Sequence, residues 1–258
     1  MSSNTSRGWV AIAGLGPGPA EWITPEVTAA LDEATDLIGY APYVARVPAR
    51  DGLQRHGTDN REELGRAGHA LRLAAQGHRV VVVSSGDPGV FAMAAAVFEA
   101  VERGEPAWRE LDIRVLPGIS AMFAAASRIG APLGHDFCAI NLSDNLKPWE
   151  LVEQRLRLAA QGDFVIALYN PLSKARPWQL GRALELLRTE FPESVPVVFA
   201  TAVGDEREAI DVVPLGEARP ERADMRTLVM IGSRQTRLIA RAGGAPFVYT
   251  PRSVGAAS

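Results

Sequence analysis

Short apolar runs and helically periodic stretches take turns along this chain. In the first half, Trp9–Ala13, Asp36–Gly39, Arg79–Ser84 and Asp112–Leu116 have the length and apolar content of buried strands. Between them Thr24–Ala34, Asn60–Gln76 and Val90–Arg103 have helical spacing, and Leu64, Ala67, Ala70, Leu71 and Ala74 form the apolar face of the second. TPEV is a helix start, with Thr24 as N-cap, Pro25 at the first helical position and Glu26 in the first turn. An alanine-rich helix follows PGIS at Pro117–Ser120, and the polar break Gly130–His135 marks a domain boundary. The second half offers strands Asp136–Leu142, Asp163–Tyr169, Val195–Thr201, Ala209–Val213 and Thr227–Gly232, with helices Pro148–Gln161 and Pro177–Thr189. Ile210–Pro214 alternates less and is a candidate for antiparallel pairing with its neighbour. Strands alternating with helices through short connections predict parallel α/β sheets. The expected organisation is two α/β domains in tandem, residues 1–130 and 131–258, with the last dozen residues, ending SVGAAS, disordered.

Length agrees with that division, since 258 residues exceed one typical domain. At 47% hydrophobic and 22% charged residues the composition is that of an ordinary globular protein. Its longest apolar runs, RVVVVSS and DFVIALY, are strand-length and far below the roughly 18 residues that cross a bilayer. No signal peptide is visible, so no membrane association and a cytoplasmic location are expected. The single cysteine, Cys138, excludes an internal disulfide and reads as a small core residue. A net charge of −3 without a basic run argues against nucleic acid. Lys147 and Lys174 are the only lysines among 27 basic residues. That bias fits a G- and C-rich genome, or arginines that fork onto a polycarboxylate ligand. His56, His69, His78 and His135 are scattered, and each reads as solvated or satisfied in the core, with no metal site expected.

The informative stretches sit where expected strands end. GLGPGP, Gly14–Pro19, nearly spells the dinucleotide turn, but its third glycine is one place early and Pro17 and Pro19 remove two N–H groups. The next helix starts too far downstream to share a phosphate with that turn. SSGDPGVFAMA, Ser84–Ala94, is a tight turn that projects Asp87 beyond the carboxyl edge of the sheet, as an N-cap or as an acceptor for a ligand hydroxyl or ammonium. LPGISAMFAAA, ALYNPLSKARPWQ and FATAVGDERE are further turns of this kind. Together they suggest a cleft between domains that holds a small organic cofactor.

The ordered set GLGPGPAEWITPE, SSGDPGVFAMA, LPGISAMFAAA, ALYNPLSKAR and TLVMIGS resembles the tetrapyrrole methylases, and the likeness spans about residues 8–250. Within that family, IGYAPYV, SSGDPGVFAMA, NLSDNLKPWE and LYNPLSKAR are most similar to the members that methylate ring carbon 17 of a corrin precursor and contract the macrocycle. The resemblance implies S-adenosylmethionine as cofactor, S-adenosylhomocysteine as product, a tetrapyrrole substrate, a role in cobalamin biosynthesis and a homodimer. It implies the tetrapyrrole methylase fold, with the cofactor cleft between two domains. Carried over by motif, Pro17 lines that cleft, Ser85, Gly86 and Asp87 contact the methionine and ribose parts of the cofactor, and Val90 packs beside them. Ser120 and Ala121 match a Thr-Ala pair of the family, while Asn170 and Val203 fall at cofactor positions expected to act through the backbone.

A sulfonium methyl is already activated, so methyl transfer asks the protein mainly for an in-line approach at about 3 to 3.5 Å. Ring contraction also needs a proton taken from a hydroxyl. Asp144 is the candidate acid/base, with an N-terminal charge for the following helix as its structural alternative, and Lys174 is a second catalytic candidate. Tyr40, Tyr43, Arg46, Arg61 and Arg176 are candidate contacts to the polycarboxylate macrocycle, or else solvated surface groups. A cobalt-containing macrocycle, a nicotinamide-dependent reductase with Asp36 as its ribose acid, and a non-catalytic tetrapyrrole carrier remain alternatives.

Overall fold

The computed structural model describes residues 8–59 and 62–253, so Asn60 and the candidate anchor Arg61 lie outside the described residues. The chain divides into two compact units, one ending at Ala121 and the other starting at Met122. This division falls nine residues before the boundary expected at 130/131, because the helix after PGIS packs with the segments C-terminal to it.

The first unit runs β1 (Trp9–Gly14), α1 (Pro25–Glu33), β2 (Asp36–Tyr40), the short α2 (Ala41–Ala45), β3 (Gln54–Thr58), α3 (Glu63–Ala75), β4 (Arg79–Ser84), α4 (Met93–Arg103) and β5 (Asp112–Leu116). All neighbouring strands are parallel, in the order β3-β2-β4-β1-β5. β1 is buried on both faces. Trp9, Ala11 and Ala13 face α1 with Val27 and Ala30, while Val10 and Ile12 face α3 and α4 with Leu71 and Val97. The helices after β1 and β4 therefore cover opposite faces of the sheet, although the two strands are neighbours. Such a reversal opens a crevice at the carboxyl ends of the two strands. Thr24 caps α1 as expected, its side chain accepting from Val27 N at 3.3 Å.

Two expectations for this unit are corrected. Leu64 is 52% exposed, whereas Arg66 on the same helix is 3% exposed. The Arg66 guanidinium replaces its lost water by donating to Thr58 Oγ1, the Asp59 carbonyl and Met93 Sδ. α4 begins at Met93 instead of Val90, because Phe91 takes a left-handed φ of 54°.

The second unit contains α5 (Ala121–Ile129), whose first residue closes the first unit, then β6 (Gly130–Ala131), β7 (Phe137–Asn141), α6 (Trp149–Gln161), β8 (Val165–Tyr169), α7 (Gln179–Glu190), β9 (Pro196–Thr201), β10 (Ala209–Pro214), β11 (Thr227–Ile231), β12 (Arg237–Arg241) and β13 (Gly244–Tyr249). Its main sheet has the order β10-β9-β11-β8-β7. Only β7 and β8 pair parallel; β11 inserts antiparallel between β8 and β9, and β10 pairs antiparallel with β9. The sheet is thus mixed, and the antiparallel pairing suggested for Ile210–Pro214 is present. Val152, Leu156, Leu180, Leu184 and Leu187 from α6 and α7 pack on Ile166, Leu168, Phe199 and Val229.

The expected disorder of the last dozen residues is also corrected. β13 pairs with β12 and β6 up to Tyr249, and Thr250 is 3% exposed, bonded to Thr236 Oγ1 and the Pro132 carbonyl. Residues 254–258 lie outside the described residues. Among the described residues no helix is long and apolar enough to cross a membrane.

Candidate active site

In the first unit three strand ends meet backbone to backbone at the crevice. A Cβ on Gly14 would stand 2.6 Å from Gly86 O and 2.8 Å from Gly118 Cα, and one on Gly118 would stand 2.3 Å from Gly86 O. Gly16 N donates to Gly86 O at 3.2 Å, and Leu15 N to Ser84 O at 2.9 Å, so the GLGPGP loop is laced to the turn after β4. Gly86 has φ +67°, yet the nearest atom to its missing Cβ is Ile119 O at 3.8 Å, with Ser120 Cα and Ala121 N at 3.9 Å. The structure thus brings together Gly86, Ser120 and Ala121 from two separate motifs. Pro17, Ser85 and Val90 are half-buried around the same turns, and Ser120 is buried.

Asp87 holds these turns together. Its Oδ1 accepts from Gly89 N at 2.8 Å and its Oδ2 from Gly118 N at 3.1 Å. It does not cap α4, which starts six residues later behind Ala92. Arg46 was expected on the substrate, but its guanidinium donates to the carbonyls of Gly16, Leu15 and Gly18, each at 2.8 Å. A planar fork matches three carbonyls of one curled loop, so the side chain acts as a clamp on GLGPGP. Tyr40 and Tyr43 stand edge to face with ring centroids 5.2 Å apart. Burial pushes the Tyr43 phenol up, Tyr40 adds to the shift, and Arg46, Arg66 and Ser85 pull the other way.

At the opposite end of the same sheet three of the four histidines scattered in sequence, His56, His69 and His78, gather around Asp36. His56 Nε2 and His78 Nδ1 lie 2.9 and 2.7 Å from its two oxygens, Thr35 Oγ1 donates at 2.8 Å, and His69 Nε2 is 3.4 Å from His56 Nδ1. Burial works to raise the Asp36 carboxyl and is outweighed by bonds from His56, His78 and Thr35, so the group titrates below its ordinary range. Asp36 starts its strand and has both oxygens occupied, which removes the ribose acid that a nicotinamide site needs. Among the described residues no group of three or more His, Cys, Asp or Glu side chains is arranged to hold a metal ion.

In the second unit a polar cluster forms around the carboxyl ends of β7 and β8. Asn141 Oδ1 accepts from Ser143 N at 2.9 Å and from Asn170 Nδ2 at 3.1 Å, and Asn170 has a left-handed φ of 51°. Asp144 Oδ2 accepts from Gln179 Nε2 at 3.1 Å. This bond runs to the first turn of α7, and α6 starts behind Pro148 without a side-chain cap. Lys147 Nζ donates to Ser143 O at 2.8 Å. Burial lowers its ammonium, Arg155 and Arg176 add to this, and Asp144 opposes it. Ser173 and Arg176 exchange backbone hydrogen bonds, which leaves Lys174 exposed at the tip of a tight turn. Val203 is buried in the β9–β10 connection. Desolvation raises the half-buried Cys138 thiol to about 11, as suits an inert packing residue.

Sequence reasoning missed Gln179 and Arg66. Both are polar residues inside helical patterns, where periodicity places them without showing what they touch. It also missed Gly118 as a packing requirement, although the PG of LPGIS carries that signal.

The family model for Tetrapyrrole (Corrin/Porphyrin) Methylases matches residues 10–219. A precorrin-3B C(17)-methyltransferase from Sinorhizobium sp is 57% identical over 97% of this chain and 99% of its own. A probable cobalt-factor III C(17)-methyltransferase from Salmonella typhimurium is 39% identical over 88% of this chain and 93% of its own. The crystal structure of the methyltransferase CobJ superposes with a TM-score of 0.90 at 62% identity, covering 95% of this chain and all of that one. The chain belongs to the tetrapyrrole (corrin/porphyrin) methylases.

Proposed function

We propose that this protein transfers the methyl group of S-adenosylmethionine to ring carbon 17 of precorrin-3B and contracts the ring to precorrin-4, in cobalamin biosynthesis. The observation that carries this reading is the 57% identity to a precorrin-3B C(17)-methyltransferase over 97% of the chain. The glycine-packed strand ends support it. The lower identity of 39% to the cobalt-factor III relative favours the metal-free macrocycle over the cobalt-containing one.

The first unit offers what a sulfonium cofactor needs there. The Ser85 hydroxyl, the backbone at the uncrowded Gly86, and the Ser120–Ala121 pair would hold it, with Pro17 and Val90 as apolar flanks. The cofactor supplies an activated methyl group. Arg46 fixes the GLGPGP carbonyls and Asp87 ties two turns into one surface, so positioning is built in before anything binds. In the second unit Asp144 would take a hydroxyl proton onto its carboxylate during contraction, a role its hydrogen bond from Gln179 supports. Lys147, Lys174 and Arg176 provide positive charge for the carboxylates of the macrocycle. Tyr40 and Tyr43 present an aromatic edge in the first unit.

Asp144→Asn keeps the shape of the group but cannot accept the proton. Contraction is then expected to slow by about 100-fold to 10,000-fold, the usual worth of general acid/base catalysis. A methylated, uncontracted macrocycle accumulates, seen by mass as one added methyl group. Contraction at the normal rate would remove Asp144 from this role. The same reading has the enzyme as a cytoplasmic homodimer; sedimentation is expected to give twice the 27.6 kDa of the chain, and a monomer mass contradicts the dimer.

A further inference from the structure

Of the buried side-chain nitrogen and oxygen atoms in the described residues, three lack a hydrogen-bond partner: Trp108 Nε1, Arg176 Nη1 and Gln179 Oε1. Two of them stand three residues apart at the start of α7, beside the candidate base. Gln179 is 1% exposed, and its amide nitrogen is committed to Asp144 Oδ2 at 3.1 Å. That bond also settles the amide's orientation, because the reverse flip would turn Oε1 toward a carboxylate oxygen. An acceptor and a cationic donor buried without partners are costly unless something bound completes them. We propose that Gln179 is the positioning residue of Asp144: its Nε2 fixes the orientation of the carboxylate, and its Oε1, with Arg176 Nη1, is completed by hydrogen-bonding groups of the bound macrocycle.

This inference rests on the acid/base reading of Asp144 given above. A hydrogen bond donated to a carboxylate favours the charged, proton-accepting form. Asp144 keeps its second oxygen for the transferred proton, which passes from the substrate O–H to the carboxylate and leaves an alkoxide. The cations facing this corner are Lys147 from the β7–α6 connection, Arg155 from α6 and Arg176 from the turn before α7. None of the hydrogen bonds described for these cations reaches Asp144, so the orienting bond belongs to Gln179.

The test follows methyl transfer and ring contraction side by side across pH, with S-adenosylmethionine and precorrin-3B as the probes, in Asp144→Asn, Gln179→Met, Gln179→Glu and the double variant. Gln179→Met removes the donor at similar volume. Contraction per methyl transferred is expected to fall about 10-fold, and its acid limb to move to higher pH by about one unit. Gln179→Glu makes a carboxyl pair that donates to Asp144 only while it holds a proton. Its contraction is expected to persist on the acid side and to fall as pH rises. Because the Nε2 bond acts through Asp144, adding Gln179→Met to Asp144→Asn is expected to leave contraction per methyl transferred no lower than in Asp144→Asn alone, while loss of the Oε1 contact shows as a higher KM for precorrin-3B in both Gln179→Met proteins. Wild-type pH profiles in both Gln179 variants, beside a slow Asp144→Asn, overturn the positioning role. Normal contraction in Asp144→Asn overturns the acid/base reading itself. Should Gln179→Met fail to fold, the near-isosteric Gln179→Glu decides by the direction of its pH profile.

Discussion

Single side chains at the crevice act first on the protein's own backbone. Asp87 bonds two amides, so Asp87→Asn, which retains only one oxygen, is expected to lower unfolding stability by about 1 kcal/mol and to weaken S-adenosylmethionine binding up to about 10-fold. Calorimetry and urea unfolding on the same sample separate the two effects. Weaker binding with unchanged stability would make Asp87 a direct ligand contact instead of a brace. Arg46→Met leaves three loop carbonyls without their donor and is expected to cost about 1 to 3 kcal/mol. Arg46→Lys should recover little, since one ammonium cannot span the fork; full recovery in urea unfolding would refute the clamp. Asp87 was legible from its turn, whereas the clamp was not. Thirty residues separate Arg46 from Gly16, and only the fold shows that the guanidinium has carbonyls to satisfy.

Elements were legible where burial is two-sided and opaque where contacts are long-range. β1 and β4 are continuous apolar runs, and α1 announces itself through Thr24 and Pro25. The short polar β3, the two-residue β6 and the β12–β13 ribbon have no pattern of their own, and exist because a neighbouring strand supplies their hydrogen bonds. The packing of turns gives a sharp expectation at this scale. Gly118→Ala brings a methyl within 2.3 Å of the Gly86 carbonyl, which only backbone movement can relieve, and is expected to destabilise the first unit by about 2 to 4 kcal/mol. Unchanged thermal unfolding would mean that the three turns are not locked together.

The histidine cluster of β2, β3 and α3 predicts a pH dependence. Burial lowers His69 below the ordinary histidine value, and His56 and Arg72 add to the shift. The unfolded chain then takes up this proton more readily than the folded one, so stability falls as pH drops through the range below about 6.5. Asp36 is lowered as well, so the stability it contributes is present above the ordinary carboxylate value and is lost as pH falls through its folded value, below about 4. His69→Gln is expected to flatten the first of these slopes and to leave the second. Urea midpoints measured between about pH 7 and 3 check this, and an unchanged upper slope in His69→Gln contradicts it.

For the whole molecule, composition and alternation were enough for two α/β units, and five ordered motifs were enough for the family. The mixed pairing of the second sheet was not readable, because β9 and β11 carry the same dense apolar pattern that parallel strands show. The unit boundary was displaced because a glycine-rich break can sit between a helix and its own domain. The protein as a whole methylates and contracts a corrin precursor. The most direct measurement is incubation of the purified protein with methyl-labelled S-adenosylmethionine and precorrin-3B, following label by mass and contraction by absorption. One labelled methyl on carbon 17 of a contracted product, with an equal amount of S-adenosylhomocysteine, is the predicted result. An unlabelled macrocycle, or a label on any other ring carbon, would contradict the account.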